Sequence, residues 1–316
     1  MNQQPGAENI PLGMTNLRIT PLGVGTWAWG DRLFWDYGRS HTDADLQAAF
    51  EASLAAGIRF FDTAEFYGWG RSERLLGQFI RAAGRPVVVA TKFSPYFWRL
   101  RGRSLIRALR GSLDRLGADQ VDLYQIHWPL PPVSIATWMD AMADAVDAGL
   151  TRAVGVSNYN LSRMRRAHAA LAQRGVALAS NQVEYSLLHR APERNGLLDA
   201  CRGMDVTLIA YSPLAMGVLT GKYTPDNPPP GFRGLRYGRE LLVRVQPLIG
   251  LLRDIGQAHE GKAPAQVALN WVICKGAVPI AGAKNAHQAQ LNAGALGWRL
   301  TADEVAALDL ASDQIE

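Results

Sequence analysis

Short apolar runs of strand length recur along the chain, each followed by a polar residue and then by a helical pattern. Within each run the apolar residues are continuous rather than alternating, which is typical of strands that are buried on both faces. The pattern therefore predicts eight buried strands, at 22–25, 58–61, 87–90, 123–126, 153–156, 179–183, 206–210 and 277–280.

Amphipathic helical patterns separate these strands. The pattern at 43–56 has an acidic first turn, with Thr42 as its N-cap and Gly57 just past its end. Thr301 and Glu304 form a capping-box pattern for a final helix at 301–312. Segment 222–238 is rich in Pro, Gly and Arg, which predicts a long loop. Further helices are predicted at 104–116, 134–148, 161–174, 191–201, 240–260, 263–274 and 286–293.

The alternation of strand and helix predicts a parallel sheet, and eight such units fit a closed (β/α)8 TIM barrel. We expect an N-terminal hairpin before the barrel and extra helices at its C-terminal end. The alternative is an open doubly wound sheet, which would carry a G-x-G-x-x-G turn after its first strand. The turn here reads GVGTWA from Gly23, so the third glycine is missing and the barrel is favoured. With no linker or internal repeat, the sequence predicts one domain over 1–316.

The amino-acid composition is that of an ordinary globular protein. The chain is 48% hydrophobic and 19% charged, with a formal charge of +5, which is ordinary for a globular protein. An arginine cluster at 99–110 is interpreted as a solvated helix face or, alternatively, an anion-attracting patch.

No nucleic-acid-binding motif, metal-ligand cluster or apolar run of about 20 residues is evident. Two cysteines and no signal sequence in the first ten residues predict a cytoplasmic protein, as a monomer or small homo-oligomer.

Polar residues follow most of the apolar runs. In a barrel, the C-terminal ends of the strands carry the functional groups, so these residues are candidates for one shared site. Taken singly, Asp62 could be a turn residue, Tyr67 a loop aromatic and His127 a core histidine. Lys92 closes a buried strand and needs a polar partner there. The candidates are Asp62, Lys92, His127, Ser157, Asn158, Gln182, Tyr211, Ser212, Gly282 and Lys284.

Four of the candidates suit proton transfer to a carbonyl oxygen. Asp62 and Lys92 can form a buried ion pair, and a cation beside Tyr67 is expected to lower the pKa of its phenol from about 10. Tyr67 can then donate a proton, and His127 can donate a second hydrogen bond to the same oxygen. The set contains no nucleophile paired with a base, so carbonyl reduction is favoured over hydrolysis.

These residues lie in motifs that resemble those of the aldo-keto reductase family, in the family's order from about Leu17 to Asp309. The motifs are FDTAEFYG at 61–68, TK at 91–92, QIH at 125–127, GVSN at 155–158, NQ at 181–182, YSPL at 211–214 and GAKN at 282–285. The resemblance implies a (β/α)8 barrel and NADPH-dependent reduction of carbonyls. It implies Tyr67 as the general acid, with Asp62, Lys92 and His127 completing a catalytic tetrad.

The resemblance also implies which residues hold the cofactor. Ser157, Asn158 and Gln182 would bond the nicotinamide carboxamide, and Tyr211 would stack on its ring. Gly25, Thr26 and Trp27 match the turn beside the nicotinamide ribose, where Asp62 also lies. The pyrophosphate loop would be formed by Ser212, Leu214, Gly217, Leu219, Gly221 and Lys222, and the adenosine site by Gly282, Lys284, Gln288 and Asn292.

The sequence differs from the family pattern at two positions that affect the choice between NADPH and NADH. Family members committed to NADPH often carry arginine where Gln288 stands, and many carry an acidic residue where Leu291 stands. Lys284 is the alternative partner for the 2′-phosphate, so NADPH is still favoured over NADH. Asn158 could instead be a left-handed turn residue, and Lys222 a surface lysine.

Trp29, Trp69 and Trp128 are predicted to line an apolar pocket for a small aldehyde or ketone. Two other interpretations stay open. One is a regulatory subunit resembling the potassium-channel β subunits, which binds the cofactor as a redox sensor. The other is a phosphate-binding barrel isomerase or lyase that needs no nicotinamide.

Overall fold

The computed structural model of the protein describes residues 8–315, so the prediction for the first ten residues lies largely outside it. Eight parallel strands of this part of the chain form a closed barrel in the order β10-β3-β4-β5-β6-β7-β8-β9. This confirms the predicted (β/α)8 fold and all eight apolar runs as strands. The strands are β1 Ile10–Pro11, β2 Arg18–Ile19, β3 Gly23–Gly25, β4 Phe60–Asp62, β5 Val88–Phe93, β6 Val121–Ile126, β7 Thr151–Ser157, β8 Leu178–Glu184, β9 Thr207–Tyr211 and β10 Val278–Gly282.

The predicted N-terminal hairpin is formed by β1 and β2, which pair antiparallel. Its apolar side chains Leu12, Leu17 and Ile19 are buried against barrel residues such as Phe60. The backbone N–H of Gly13 donates to the hydroxyl of Thr207, the first residue of β9, over 2.8 Å. The hairpin therefore closes the barrel at the N-terminal ends of its strands and leaves the opposite end for the site.

Helices surround the barrel. Over residues 8–315, no helix is both long and apolar enough to cross a bilayer. The helices are α1 Arg32–Trp35, α2 Asp43–Ala55, α3 Arg71–Ala83, α4 Gly102–Leu116, α5 Ile135–Asp147, α6 Leu161–Ala172, α7 Ala191–Arg194, α8 Leu197–Gly203, α9 Phe232–Arg236, α10 Arg239–Ala258, α11 Pro264–Cys274, α12 Ala286–Ala293 and α13 Ala302–Asp313.

The predicted caps are present. The Thr42 hydroxyl accepts from the backbone of Asp45, whose carboxylate accepts in return, and Thr301 and Glu304 form the same reciprocal box. Gly57 has a φ of +85°, the left-handed conformation expected just past a helix end. The residues that cap these helices could thus be predicted from the sequence.

One long helix was not predicted, and two predictions about helices and loops were wrong. Helix α3 was missed, because it starts at a left-handed Gly70 that offers no side-chain cap. The helix predicted at 191–201 is interrupted at Asn195 and Gly196, where Gly196 takes a φ of +72°. The predicted loop at 222–238 contains the short helix α9.

Candidate active site

The C-terminal ends of the barrel strands surround one cavity of about 660 Å³. Parallel register brings distant residues side by side there: Asp62 pairs with Gly25, Lys92 with Gln125, and Ser157 with Gln182. Most of the predicted site residues therefore line this one cavity. Those in its wall are Gly25, Trp27, Asp62, Tyr67, His127, Trp128, Ser157, Asn158, Gln182, Tyr211, Ser212, Leu214, Gly217, Lys222, Gly282, Lys284, Gln288 and Asn292.

Asp62 and Lys92 form a buried ion pair at the base of this cavity. The Lys92 ammonium donates to Oδ2 of Asp62 and to the carbonyl of Thr63, and neither side chain has more than 1% of its surface exposed. Burial lowers the pKa of Lys92, and the Asp62 carboxylate opposes that shift. The sequence predicted a buried ion pair between Asp62 and Lys92, and the structure contains it.

The second oxygen of Asp62 is held by two glutamines. Gln182 donates from Nε2 to Oδ1 over 2.8 Å, and Gln125 donates to the same atom over 3.2 Å. The Oε1 atom of Gln125 accepts from the hydroxyl of Ser180 in turn. This polar layer fixes the carboxylate in one orientation. Gln125 was not among the predicted site residues, although its register with Lys92 could have identified it.

Tyr67 lies just beyond β4, with its phenol oxygen 3.3 Å from Nζ of Lys92. The expected direction of its pKa shift was wrong. Burial, reinforced by the Asp62 carboxylate, raises the pKa of Tyr67 well above 10. The phenol therefore keeps its proton throughout the neutral range, which is the state that a proton donor needs.

His127 faces Tyr67 across the cavity, with the two ring centres 5.7 Å apart and nearly perpendicular. The imidazole is buried, and its Nδ1 has no hydrogen-bond partner among residues 8–315. Burial and the nearby Lys92 charge lower the pKa of His127 well below 6.5. The ring is therefore neutral, with one N–H donor and one unprotonated nitrogen.

Two buried carboxylates hold the surrounding loops. Glu73 of α3 is fully buried; it accepts from the hydroxyl of Thr91 and from Nε of Arg115, each over 2.6 Å. Glu65 pairs with Arg99 and accepts from the backbone of Ser94 over 2.7 Å. Thr91 and Ser94 flank Lys92 and Phe93, so both carboxylates fix the end of β5. Because helix α3 was not predicted from the sequence, Glu73 was not identified as a residue that supports the site.

The residues predicted to hold a carboxamide form a connected set. Ser157 donates to the carbonyl of Gln182 over 2.8 Å, and Asn158 donates to the carbonyl of His127 over 3.0 Å. Tyr211 donates its hydroxyl to Oδ1 of Asn158 over 3.0 Å. Asn158 has a φ of +62°, so it is a left-handed turn residue and a wall residue at once.

The other end of the cavity is basic. Within the described part of the chain, Lys222, Arg233 and Lys284 form no ion pair, whereas Arg236 is paired with Glu184. Burial lowers the pKa of Lys284, and the charges of Arg233 and Lys222 lower it further. Cations that repel one another in this way fit a ligand with several negative charges. A phosphorylated nucleotide cofactor meets that requirement.

The loop between β9 and α9 brings Lys222 to this wall. Its path needs left-handed backbone at Ser212, Ala215 and Met216 as well as at Gly217, where φ is +98°. A Cβ on Gly217 would lie 3.4 Å from the side chain of Lys222. That distance is an ordinary contact, so it is the positive φ that favours glycine at this turn.

The start of α12 closes the basic end. Asn285 caps the helix by accepting from the backbone of Gln288, and Gln288 accepts from the backbone of Lys284 over 2.9 Å. Asn292 donates to the carbonyl of Gly282 over 3.2 Å. The side-chain oxygen of Gln288 is therefore used within the turn that presents Lys284.

Four predicted residues lie behind the wall rather than in it. Lys92 is buried below Tyr67, and Leu219 is packed in the hydrophobic core. Thr26 bonds the carbonyl of Asp62 and the hydroxyl of Ser72. Gly221 ends the loop that carries Leu219, with a φ of +75°.

The structure puts Trp128 in the aromatic wall of the cavity but leaves Trp29 and Trp69 out of it. Trp29 is fully buried and donates its indole N–H to the carbonyl of Ala283 over 2.9 Å. Trp69 points outward and is 80% exposed. Trp27, Phe66 and Trp128 are aromatic residues of the wall near Tyr67 and His127.

The arrangement combines a protonated phenol, a buried cation and a neutral imidazole at one end with unpaired cations at the other. Across residues 8–315, no three His, Cys, Asp or Glu side chains converge as metal ligands. The chemistry that these groups support is proton donation to an oxygen that gains negative charge.

Comparison with known proteins agrees with this geometry. A model of the aldo/keto reductase family matches residues 21–313. The chain is 44% identical over 315 residues to the chloroplastic pyridoxal reductase of Arabidopsis thaliana, covering 95% of this chain and 85% of that protein. It is 30% identical to the NADH-specific methylglyoxal reductase of Escherichia coli, covering 93% and 95%. A crystal structure of an aldo/keto reductase from Klebsiella pneumoniae with NADP and acetate superimposes with a TM-score of 0.73 at 28% identity, covering 93% and 91%.

Proposed function

Because the chain belongs to the aldo/keto reductase family and is an NAD(P)H-dependent oxidoreductase, we propose that it reduces an aldehyde to an alcohol with Tyr67 as the proton donor. The observation that carries this proposal is the convergence of Asp62, Tyr67, Lys92 and His127 on one end of the cavity. A bound nicotinamide supplies the hydride for such a reaction.

The four residues have different roles in protonating the carbonyl oxygen. Tyr67 gives its phenol proton to the carbonyl oxygen as that oxygen becomes negative. Lys92, 3.3 Å from the phenol oxygen, stabilises the phenolate that remains. His127 is neutral and donates a second hydrogen bond to the same oxygen. Asp62 acts through Lys92, whose charged form it stabilises.

We propose that the cofactor lies along the rest of the cavity. Ser157, Asn158, Gln182 and Tyr211 would orient the nicotinamide, while Lys222 and Lys284 would neutralise its phosphates. The mutual repulsion of the unpaired cations supports NADPH over NADH, since NADPH carries one phosphate more. The NADH-specific Escherichia coli relative shows that the family itself does not decide the question.

The aromatic wall supports a planar aldehyde as substrate. Trp27, Phe66 and Trp128 provide flat apolar surface near Tyr67. The relative from Arabidopsis thaliana is named as a pyridoxal reductase, so pyridoxal is the first substrate to test.

The test follows NADPH oxidation by absorbance with pyridoxal, 4-nitrobenzaldehyde and methylglyoxal in turn. The proposal expects steady turnover, with pyridoxal giving the highest kcat/KM. Tight cofactor binding without turnover on any carbonyl would instead support a redox-sensing subunit. If NADPH and NADH both failed to quench protein fluorescence, a barrel that needs no nicotinamide would be favoured.

A further inference from the structure

We infer that Arg233, on the short helix α9, is the residue that selects the 2′-phosphate of NADPH in this chain. The inference rests on the proposed function, because it presupposes that the cavity holds a nicotinamide cofactor. No sequence pattern pointed to Arg233, since it lies in the segment predicted to be a loop. The position on α12 from which an arginine was expected holds Gln288 instead.

Arg233 is held in place by two aromatic rings. Its guanidinium carbon lies 5.2 Å from the ring centre of Trp35 and 5.9 Å from that of Tyr223. Its Nη1 also donates to the hydroxyl of Tyr223 over 3.1 Å. Tyr223 is only 8% exposed, so it is a fixed support. The guanidinium is thus oriented before any ligand arrives, which reduces the entropy lost on binding.

The charge of Arg233 has no counter-ion among the residues that the structure describes. Lys284 lies on the same indole, with Nζ 5.8 Å from the ring centre of Trp35. Two cations close to one ring repel each other, and the charge of Arg233 indeed lowers the pKa of Lys284. A doubly charged phosphate between them would relieve this repulsion.

Gln288 brings no positive charge to this role. It is neutral, and its side-chain oxygen accepts the backbone N–H of Lys284 over 2.9 Å. The positive charge beside Trp35 therefore comes from Lys284 and from Arg233, which both line the cavity. A guanidinium can bond two phosphate oxygens with two N–H groups held in one plane, whereas a lysine ammonium acts as a compact point charge without that fixed geometry.

The test measures binding rather than turnover. NADPH and NADH are titrated separately into the cofactor-free protein, and the dissociation constants are read from tryptophan fluorescence. Arg233→Met is expected to raise the Kd for NADPH about 10-fold or more, because a charge-assisted hydrogen bond is lost, and to change that for NADH less than about twofold. Arg239→Met is the matched control: Arg239 pairs with Asp226 in the same segment and does not line the cavity. It should leave both constants within about twofold of the parent.

A second measurement separates the two phosphate groups of the cofactor. Adenosine 2′-monophosphate and ADP are each used to displace the bound cofactor. The inference expects Arg233→Met to weaken only the 2′-phosphate probe, and Arg233→Lys to recover part of the loss. Equal weakening of both probes would place Arg233 at the pyrophosphate and overturn the inference, as would no weakening of either. Those results leave the proposed function intact, since that function fails if the parent protein binds neither NADPH nor NADH, or binds one of them without turnover on any carbonyl.

Discussion

The ammonium of Lys92 lies 3.3 Å from the phenol oxygen of Tyr67, so that a buried cation directly faces a proton donor. The two residues are brought together by adjacent strands, because β4 ends five residues before Tyr67 and β5 contains Lys92. This contact stabilises the phenolate more than the phenol. It therefore acts at the moment of proton transfer and not before it.

The first prediction concerns Tyr67→Phe. It removes the proton donor and keeps the ring, so kcat should fall by about 10²- to 10⁴-fold while the Kd for NADPH stays within about twofold. The measurement combines steady-state kinetics with fluorescence titration. Tyr159→Phe is the control, since it removes the hydroxyl of another buried tyrosine outside the cavity wall. A Tyr67→Phe enzyme with near-normal rates would mean that another group supplies the proton.

The second prediction concerns the Asp62–Lys92 pair. Asp62→Asn leaves a buried ammonium unpaired, and Lys92→Met leaves a buried carboxylate unpaired. Each should lower the free energy of unfolding by about 3–5 kcal/mol. The double variant should lose much less than the sum of the two, since no uncompensated charge remains. Urea denaturation of all four proteins measures this coupling; additive losses would contradict the ion pair.

The third prediction concerns pH. Because burial and Lys92 hold the pKa of His127 below its unfolded value of about 6.5, the unfolded chain binds a proton there more readily than the folded one. The resulting stability is present above pH 6.5 and is lost as the pH falls through the lower folded pKa. Between pH 7.5 and 5.5, the parent should therefore lose up to about 1.4 kcal/mol more unfolding free energy than His127→Gln. Urea denaturation at both pH values decides the matter, and equal losses would mean that the folded imidazole titrates normally.

The fourth prediction separates two tryptophans that the sequence could not distinguish. Trp128→Ala removes part of the aromatic wall, so the KM for pyridoxal should rise about 10-fold. The KM for methylglyoxal, which has no ring, should change less. Trp69→Ala is the matched control, because its side chain is exposed and outside the wall; it should leave both KM values within about twofold. An equal rise for both substrates in Trp128→Ala would argue against ring recognition.

The fifth prediction concerns the residue after Tyr67. Gly68 has a φ of +53°, and a Cβ there would lie 2.7 Å from the carbonyl oxygen of Gly30. Gly68→Ala should cost about 1–3 kcal/mol of unfolding free energy and lower kcat, because the turn that carries Tyr67 must move. Gly84→Ala is the control: Gly84 has a φ of +58° with nothing within 4 Å of its Cβ. It should cost about 1 kcal/mol and leave kcat unchanged. Equal kcat values for the two variants would mean that the Gly68 turn does not position the phenol.

The barrel itself was predictable, because strands buried on both faces must be continuously apolar, and eight such runs alternate with capped helices. Asp62 and Lys92 were readable for a related reason: a charge at the end of a buried strand needs a partner nearby. Helix α3 was not readable, since Gly70 supplies no cap.

The finer features of the site depend on contacts that no local pattern encodes. Trp27 and Trp29 differ only in which way a turn directs them, and the bond from Trp29 to Ala283 spans 254 positions. Gln125 looks like an ordinary strand residue until the register places it beside Lys92. The pKa of Tyr67 is raised by burial and by the Asp62 carboxylate, and both effects are properties of the packed protein.

The β1–β2 hairpin has a practical consequence for anyone who wants to attach this protein to a surface. Ile10 lies on the closed face of the barrel, so a support coupled to the hairpin itself approaches from the side away from the cavity. Such immobilised protein should present its open face to the solution in a uniform orientation. An array or electrode prepared in this way should therefore retain the reaction rate of the free protein.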